Sequence, residues 1–121
     1  MNKIISHLKA IANRERYRVR LERTDQEVTI HYSECKTDKR EIIVYYLDTF
    51  TKIAILAHET GHARTYNGEA EIVANEQLAS LWALGQLYKE GVRDLRPFKE
   101  FYNKCLEGYC RAFGHKIITV G

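Results

Sequence analysis

The sequence predicts an α+β fold, with a small three-stranded sheet packed on helices. Between residues 17 and 33 apolar and polar residues alternate, which is the period of a half-exposed β-strand. After residue 48 apolar residues recur every three to four positions, which is the period of an α-helix. The chain has 121 residues, of which 45% are hydrophobic and 29% charged. This balance predicts a single domain, residues 1–121, that buries a sizeable core.

The first half of the chain is predicted to form one helix and then strands. Residues 2–14 carry an apolar stripe at helical spacing. Residues 17–23 and 27–33 alternate, and we expect them to pair as a hairpin across the turn between them. Residues 33–40 are expected to be a charged connection. The third strand, residues 42–47, is apolar on both faces, which indicates that it is covered on both sides.

Three helices are predicted in the second half. The first begins near residue 48, where Asp48, Thr49 and Thr51 are all good N-cap candidates, and ends before Asn67-Gly68, a strong helix stop. A second helix is expected over residues 69–90. The third starts at Arg96-Pro97, since proline is favoured in the first turn of a helix, and ends at Gly114.

The first of these helices contains the sequence His58-Glu59-x-x-His62. Histidines at positions i and i+4 lie one above the other on one helix face, so their ring nitrogens can share one metal ion. Glu59 lies within reach of a water held by that metal. The arrangement is typical of HExxH zinc metallopeptidases, and it predicts that His58 and His62 are zinc ligands with Glu59 as the catalytic residue.

A catalytic zinc needs a third protein ligand and an open position for water. The acidic candidates on the following helix are Glu69, Glu71 and Glu76. Glu76 is favoured, because at a rise of about 1.5 Å per residue it returns to the height of the histidine pair. Its helical stripe consists mostly of small apolar residues, where a carboxylate is costly without a cation. Glu71 is the alternative third ligand.

The chain resembles a known family at these two segments. Residues 54–63, Ala-Ile-Leu-Ala-His-Glu-Thr-Gly-His-Ala, and the later Glu76-x-x-Ala79-x-x-Trp82-Ala83 are similar to the ImmA/IrrE-type zinc metallopeptidases of mobile elements and stress responses. That family has a HExxHA helix followed by a Glu-x-x-Ala-x-x-aromatic-Ala helix. The resemblance covers about residues 41–85, and it implies a compact zincin-like fold with a small sheet before the motif helix.

The second motif can be read in two frames. In the frame of Glu76, Ser80 stands where the family commonly has asparagine. An overlapping frame, Glu71-x-x-Ala74-Asn75, has the asparagine but misplaces the aromatic residue. Both carboxylates therefore stay open as the third ligand.

The resemblance implies a Zn²⁺-dependent peptidase that cleaves a specific regulatory protein, such as a transcriptional regulator. In this interpretation zinc lowers the pKa of its bound water toward ~7, and Glu59 is the general base. The strand at residues 41–47 is expected to offer an edge on which an extended substrate can pair. The candidates for stabilising the oxyanion are Tyr45, Tyr46, Tyr66 and His115.

Two other classes of function compete with the peptidase. The first is a non-catalytic protein-binding module on a zinc-stabilised zincin scaffold, acting as a regulator from a mobile element. The second, which the sequence does not favour because its basic residues are spread out, is a nucleic-acid-binding protein that uses the arginines of residues 16–20, in a chain of net charge +3. The absence of a long apolar run predicts no membrane span, and three cysteines without a CxxC motif predict thiols in a cytoplasmic protein.

Overall fold

The computed structural model describes residues 2–27 and 33–121. Within these ranges the chain forms four helices and a three-stranded mixed sheet. The elements follow in the order α1 (Asn2–Arg14), β1 (Arg18–Arg23), β2 (Glu34–Lys36), β3 (Glu41–Tyr46), α2 (Thr49–Thr65), α3 (Ile72–Lys89) and α4 (Arg96–Ala112). The predicted α+β class is confirmed, and so are the four predicted helices.

Strand β3 is the central strand of the sheet, in the order β1-β3-β2. It pairs in parallel with β1, where Val19 lies opposite Ile42, and antiparallel with β2, where Cys35 lies opposite Ile42. Ile42, Ile43 and Val44 are all buried, as expected for a strand that is apolar on both faces. The expectation that β3 offers a free edge is wrong, because both of its edges are paired.

The segment before β3 differs from the prediction in one respect. Residues 33–40 are not merely a charged connection, since Glu34–Lys36 form strand β2. Three residues rich in charge carry little strand signal of their own, and pairing with β3 supplies the backbone hydrogen bonds that hold them extended. The predicted strand at residues 27–33 lies almost wholly outside the described residues, so the hairpin stays a prediction.

Helix α2 is the central element of the core. Its residues from Ile53 to Gly61 are all buried, because α1, β3 and α3 cover it on different sides. Each large aliphatic side chain buried in this way contributes about 1.5–3 kcal/mol relative to an exposed one. The core against which α2 packs includes Leu8, Ala12, Ile42, Val44, Ala83 and Leu87.

The start of α2 is fixed by a capping box, and of the three N-cap candidates in the sequence Asp48 is the residue that caps the helix. The Asp48 carboxylate accepts the Thr51 backbone N–H at 2.8 Å. The Thr51 hydroxyl oxygen accepts the backbone N–H of Asp48 at 3.0 Å and that of Leu47 at 2.8 Å. These bonds satisfy donors that a helix N-terminus otherwise leaves unpaired, and they hold the angle at which α2 leaves β3.

Helices α2 and α3 approach each other closely at Gly61. A Cβ atom on Gly61 would lie 2.4 Å from the carbonyl oxygen of Ala79. Ala79, Ser80 and Ala83 on the facing side of α3 are small and fully buried. The two helices therefore approach each other closely through small side chains.

Helix α4 begins with Pro97 in its first turn, as predicted. Its Tyr102 hydroxyl donates a hydrogen bond of 2.6 Å to the backbone carbonyl of Ala54 on α2. The C-terminal tail lies along the helices, since Asn103 accepts the Val120 backbone N–H at 2.8 Å. Among the described helices, none has the length and hydrophobicity needed to span a membrane.

Candidate metal centre

His58 and His62 lie one turn apart on the buried part of α2. Their ring centroids are 4.7 Å apart and the ring planes are perpendicular. The His58 side chain is fully buried, whereas 12% of the His62 side chain is exposed. One nitrogen of each ring and a carboxylate oxygen of Glu59 lie within 4.8 Å of one another. His58, Glu59 and His62 thus form a cluster that can hold a metal ion.

Glu76 on α3 joins the two histidines. Its Oε1 atom lies 3.1 Å from Nε2 of His58, and its Oε2 atom lies 2.6 Å from Nε2 of His62. The alternative residue, Glu71, lies elsewhere: its side chain is 76% exposed, and its carboxylate is 3.4 Å from His115. Of the two carboxylates that the sequence left open, the structure places Glu76 at the histidine pair.

Two carboxylates are therefore candidates for the third ligand. Glu59 lies on α2 with the histidines, and Glu76 contacts them from α3. We favour Glu76, because its two oxygens touch the same Nε2 atoms that would face a shared ion. Glu59 lies next to His58 on the same helix.

Hydrogen bonds between Glu76 and the two histidines shift the pKa values of the cluster. Burial acts to raise the pKa of Glu76, but hydrogen bonds from His58 and His62 outweigh it and hold that pKa well below its usual range. Burial likewise acts to lower the pKa of His62, and the hydrogen bond to Glu76 outweighs it, so the pKa of His62 is raised. Glu76 is thus a carboxylate that needs positive charge beside it.

Glu59 is in a different environment from Glu76. It is only 3% exposed. Burial raises the pKa of Glu59 to about 8; the negative charge of Glu76 adds to this effect and His62 opposes it. The pKa values of the two acidic groups of the site are therefore shifted in opposite directions. This arrangement is common where one group binds a cation and the other transfers protons.

His58 is oriented by a neighbour that the sequence did not reveal as its partner. Its Nδ1 atom lies 2.9 Å from the Ser80 hydroxyl on α3. A hydrogen bond at Nδ1 turns Nε2 toward the cluster and fixes the tautomer, which is the usual function of outer residues around a metal-binding histidine. The signal in the sequence was the small polar residue one turn after Glu76, on the same helix face.

A cleft of about 290 Å³ opens at the cluster. Its floor contains Glu59, His62 and Glu76, and its wall includes β2, the edge strand of the described sheet. The remaining lining residues are Ser33, Glu34, Cys35, Thr37, Tyr66, Ile72, Asn75 and Tyr109. The cluster is therefore reachable from outside, in spite of its burial.

The four residues predicted to stabilise an oxyanion occupy different places. Tyr66 lines the cleft. Tyr46 packs under Lys52, and Tyr45 lies opposite Glu22 in the sheet. His115 lies beside Glu71. The sequence analysis missed Tyr109, which lines the cleft from α4, because no spacing rule connects α4 to the HExxH motif.

The arginine-rich face of the sheet carries charges of both signs. Arg18 lies opposite Glu41 in the strand register. Glu41 also lies 3.9 Å from Lys36, and Arg20 lies 3.1 Å from Glu22. A surface of mixed sign lacks the concentrated positive potential with which proteins attract a phosphate backbone.

Comparison with protein-family models, with curated proteins and with solved structures finds no match for this chain. The class that the structure itself defines is an α+β domain with a buried histidine–glutamate cluster that can hold a metal ion. The resemblance to ImmA/IrrE-type peptidases stays a prediction from the sequence.

Proposed function

We propose that this protein is a zinc-dependent metallopeptidase of a zincin-like, ImmA/IrrE-type kind. The observation that carries the proposal is the contact of one carboxylate, Glu76, with Nε2 of both His58 and His62, beside a second buried carboxylate, Glu59. Two imidazoles and one carboxylate from two adjacent helices are a ligand set found in catalytic zinc sites.

The residues present fit zinc rather than a harder cation. Mg²⁺ and Ca²⁺ prefer oxygen ligands throughout, whereas imidazole nitrogens suit zinc and other late transition metals. The buried Glu76 carboxylate requires a positive charge beside it, and in the metal-free protein the hydrogen bond to Glu76 raises the pKa of His62. His58, His62 and Glu76 would hold the ion, and the cleft leaves a side of the site open.

When bound, zinc supplies a Lewis acid that polarises a carbonyl group, lowers the pKa of coordinated water to about 7 and adds positive charge beside Glu59. Glu59 accepts the proton of the attacking water at its carboxylate and returns it to the leaving amine. Ser80 keeps His58 oriented through Nδ1. The burial of Glu59 keeps bulk water away from the transferred proton.

The shape of the cleft suits a protein substrate. Among the described strands β2 lies at the edge of the sheet that lines the cleft with Glu59, and there an extended segment can pair by backbone hydrogen bonds. Tyr66 and Ile72 line the cleft although they are 54% and 52% exposed, so an apolar side chain of the substrate can bind there. We propose a specific regulatory protein of the cytoplasm as substrate, for example a transcriptional regulator.

Peptide cleavage by matched variants tests this proposal. The zinc-loaded protein and its Glu59→Gln variant are incubated with a peptide library derived from a whole proteome, and new termini are identified by mass spectrometry. Cleavage by the wild type that is lost in Glu59→Gln, with zinc retained in both, supports the peptidase. Zinc binding without cleavage in either protein would overturn it.

The exposed apolar residues at the cleft also favour a second candidate, a binding module on a zinc-stabilised scaffold. Phe113, 56% exposed, extends the apolar surface from Ile72 along a neighbouring groove. Such a module docks a partner without cutting it. In that case partner binding survives Glu59→Gln, whereas substitution of Ile72 by serine weakens it.

A further inference from the structure

Another pocket, of about 270 Å³, is lined by residues of α1, α2 and α3. The described residues that line it have no member in common with those that line the cleft at the metal cluster. Helices α1 and α3 each contribute residues at positions i, i+4 and i+7, which lie on one helix face. The lining consists of His7, Ile11 and Arg14 from α1, Arg64 from α2, and Trp82, Gln86 and Lys89 from α3.

The polar side chains of this pocket are mainly hydrogen-bond donors. Arginine and lysine side chains only donate, and so does the indole N–H of tryptophan. Arg14, Arg64 and Lys89 bring three positive charges to the pocket, and no carboxylate is among its described lining residues. Like charges around one pocket repel one another, and a bound anion would remove that repulsion. The lining therefore suits an anionic ligand.

Two glutamates lie next to the pocket without lining it, and both are paired. The Glu15 carboxylate accepts from Arg64 at 2.5 Å. The Glu90 carboxylate contacts His7 and accepts from Gln86 at 3.1 Å. These contacts connect the end of α1 to α2, and α1 to the end of α3. They hold the helices around the pocket in place before any ligand arrives.

Arg14 and Lys89 are exposed and have no acidic partner in the part of the chain that the structure describes. Each stands in the last turn of its helix, where basic side chains often bond the free backbone carbonyl groups. Neither side chain makes such a bond to a described residue. Hydrogen bonding to a helix end therefore does not explain why both side chains line the pocket.

We propose that this pocket binds the phosphate group of a small phosphorylated compound. A phosphate monoester carries almost two negative charges in neutral solution and offers three acceptor oxygens. Cations from three helices can surround such a tetrahedral group, whereas a carboxylate offers two oxygens in one plane. Ile11 and Trp82 supply apolar surface, beside which the organic part of the ester can lie. Binding here requires neither the metal nor peptidase activity.

Tryptophan fluorescence tests this proposal, because Trp82 is the only tryptophan of the chain and lines the pocket. Titration with phenyl phosphate, at an ionic strength held constant with NaCl, should give a saturable change. Arg14→Gln and Lys89→Gln should each weaken binding about 10-fold or more, the effect of losing one hydrogen bond to a charged group. Lys104→Gln, which removes a 75% exposed lysine of α4, is the matched control and should bind like the wild type.

A second ligand and a second readout test the chemical class and the site. Phenylsuccinate carries two carboxylates in place of the phosphate, and we expect it to bind at least about 10-fold more weakly. Phenyl phosphate should also raise the melting temperature of the wild type and of Lys104→Gln, because it binds only the folded protein. The rise should be smaller in Arg14→Gln and Lys89→Gln.

Three results would overturn the proposal. The first is the absence of both a saturable fluorescence change and a rise in melting temperature with phenyl phosphate. The second is equal affinity in the wild type, Arg14→Gln and Lys89→Gln, which would place the bound phosphate elsewhere on the protein. The third is equal affinity for phenylsuccinate, which would mean that the pocket selects negative charge and not phosphate.

Discussion

Gly61 of α2 lies against the backbone of Ala79 on α3, so closely that a Cβ atom on Gly61 would be 2.4 Å from the Ala79 carbonyl oxygen and 3.0 Å from its Cα atom. Gly61 directly precedes His62, and Ala79 lies one turn after Glu76. The contact through which the two helices approach is therefore close to two of the proposed ligands, His62 on α2 and Glu76 on α3. Any residue larger than glycine must push α3, and Glu76 with it, away from the histidines.

Gly61→Ala is predicted to destabilise the protein and to weaken metal binding. The new methyl group meets rigid backbone rather than a flexible side chain, and overpacking of this kind costs about 1–3 kcal/mol. Gly85→Ala on α3 is the control, because a Cβ atom there has no neighbour within 4 Å. A helical glycine replaced by alanine should gain about 0.5–1 kcal/mol. Urea unfolding measures the free energy of unfolding of both variants. Equal stability of Gly61→Ala and Gly85→Ala would contradict the predicted steric conflict at Gly61.

The metal-free protein is predicted to lose stability as the pH rises from about 4.5 to about 8. The pKa of Glu59 is raised from 4.5 to about 8 in the folded state, so its contribution is present in full at low pH and is lost as the pH rises toward about 8. The pKa of His62 is also raised in the folded state, from its ordinary value of 6.5. The stability that His62 contributes is therefore also lost as the pH rises above 6.5.

Thermal unfolding of the metal-free protein between pH 6 and about 9 measures this effect. In Glu59→Gln the dependence should be weaker, because one of the two ionisations is removed. A melting temperature that rises over this range in the metal-free wild type would contradict the assigned directions of both pKa shifts.

Cys35 is predicted to react slowly with thiol reagents despite lining the cleft. Burial, and then the negative charge of Glu59, raise the pKa of Cys35 to about 12. Only the thiolate is nucleophilic, and at pH 8 about one thiol in ten thousand would be ionised. Titration with a chromogenic disulfide should show slow reaction in the native protein and three rapid thiols after denaturation. Rapid modification of one native thiol, absent in Cys35→Ser, would contradict this environment.

Much of this fold follows from periodicity in the sequence. The apolar stripe of residues 2–14 and the capping residue Asp48 predicted α1 and the start of α2, where local signals and tertiary packing agree. Strand β2 was missed, since Glu34–Lys36 is held by pairing with β3 rather than by its own composition. The central place of β3 likewise depends on contacts between residues far apart in the sequence.

The candidate site likewise combines residues that the sequence predicts with one residue that it does not. His58, Glu59 and His62 are visible in the sequence because one helix turn brings them together. Glu76 could be preferred over Glu71 by counting residues across a turn, and the geometry agrees with that count. Tyr109 could not be found, because its place depends on how α4 docks on α2, which the Tyr102–Ala54 hydrogen bond decides.

The metal content of the purified, tag-free protein is the most direct test of the account, measured by elemental analysis for the wild type and matched variants. We predict about one zinc ion per chain in the wild type, lost in His62→Ala and Glu76→Gln. Glu71→Gln, which changes the exposed alternative carboxylate, should keep the metal. A wild-type protein without zinc, and with no uptake when zinc is offered, would contradict the central claim.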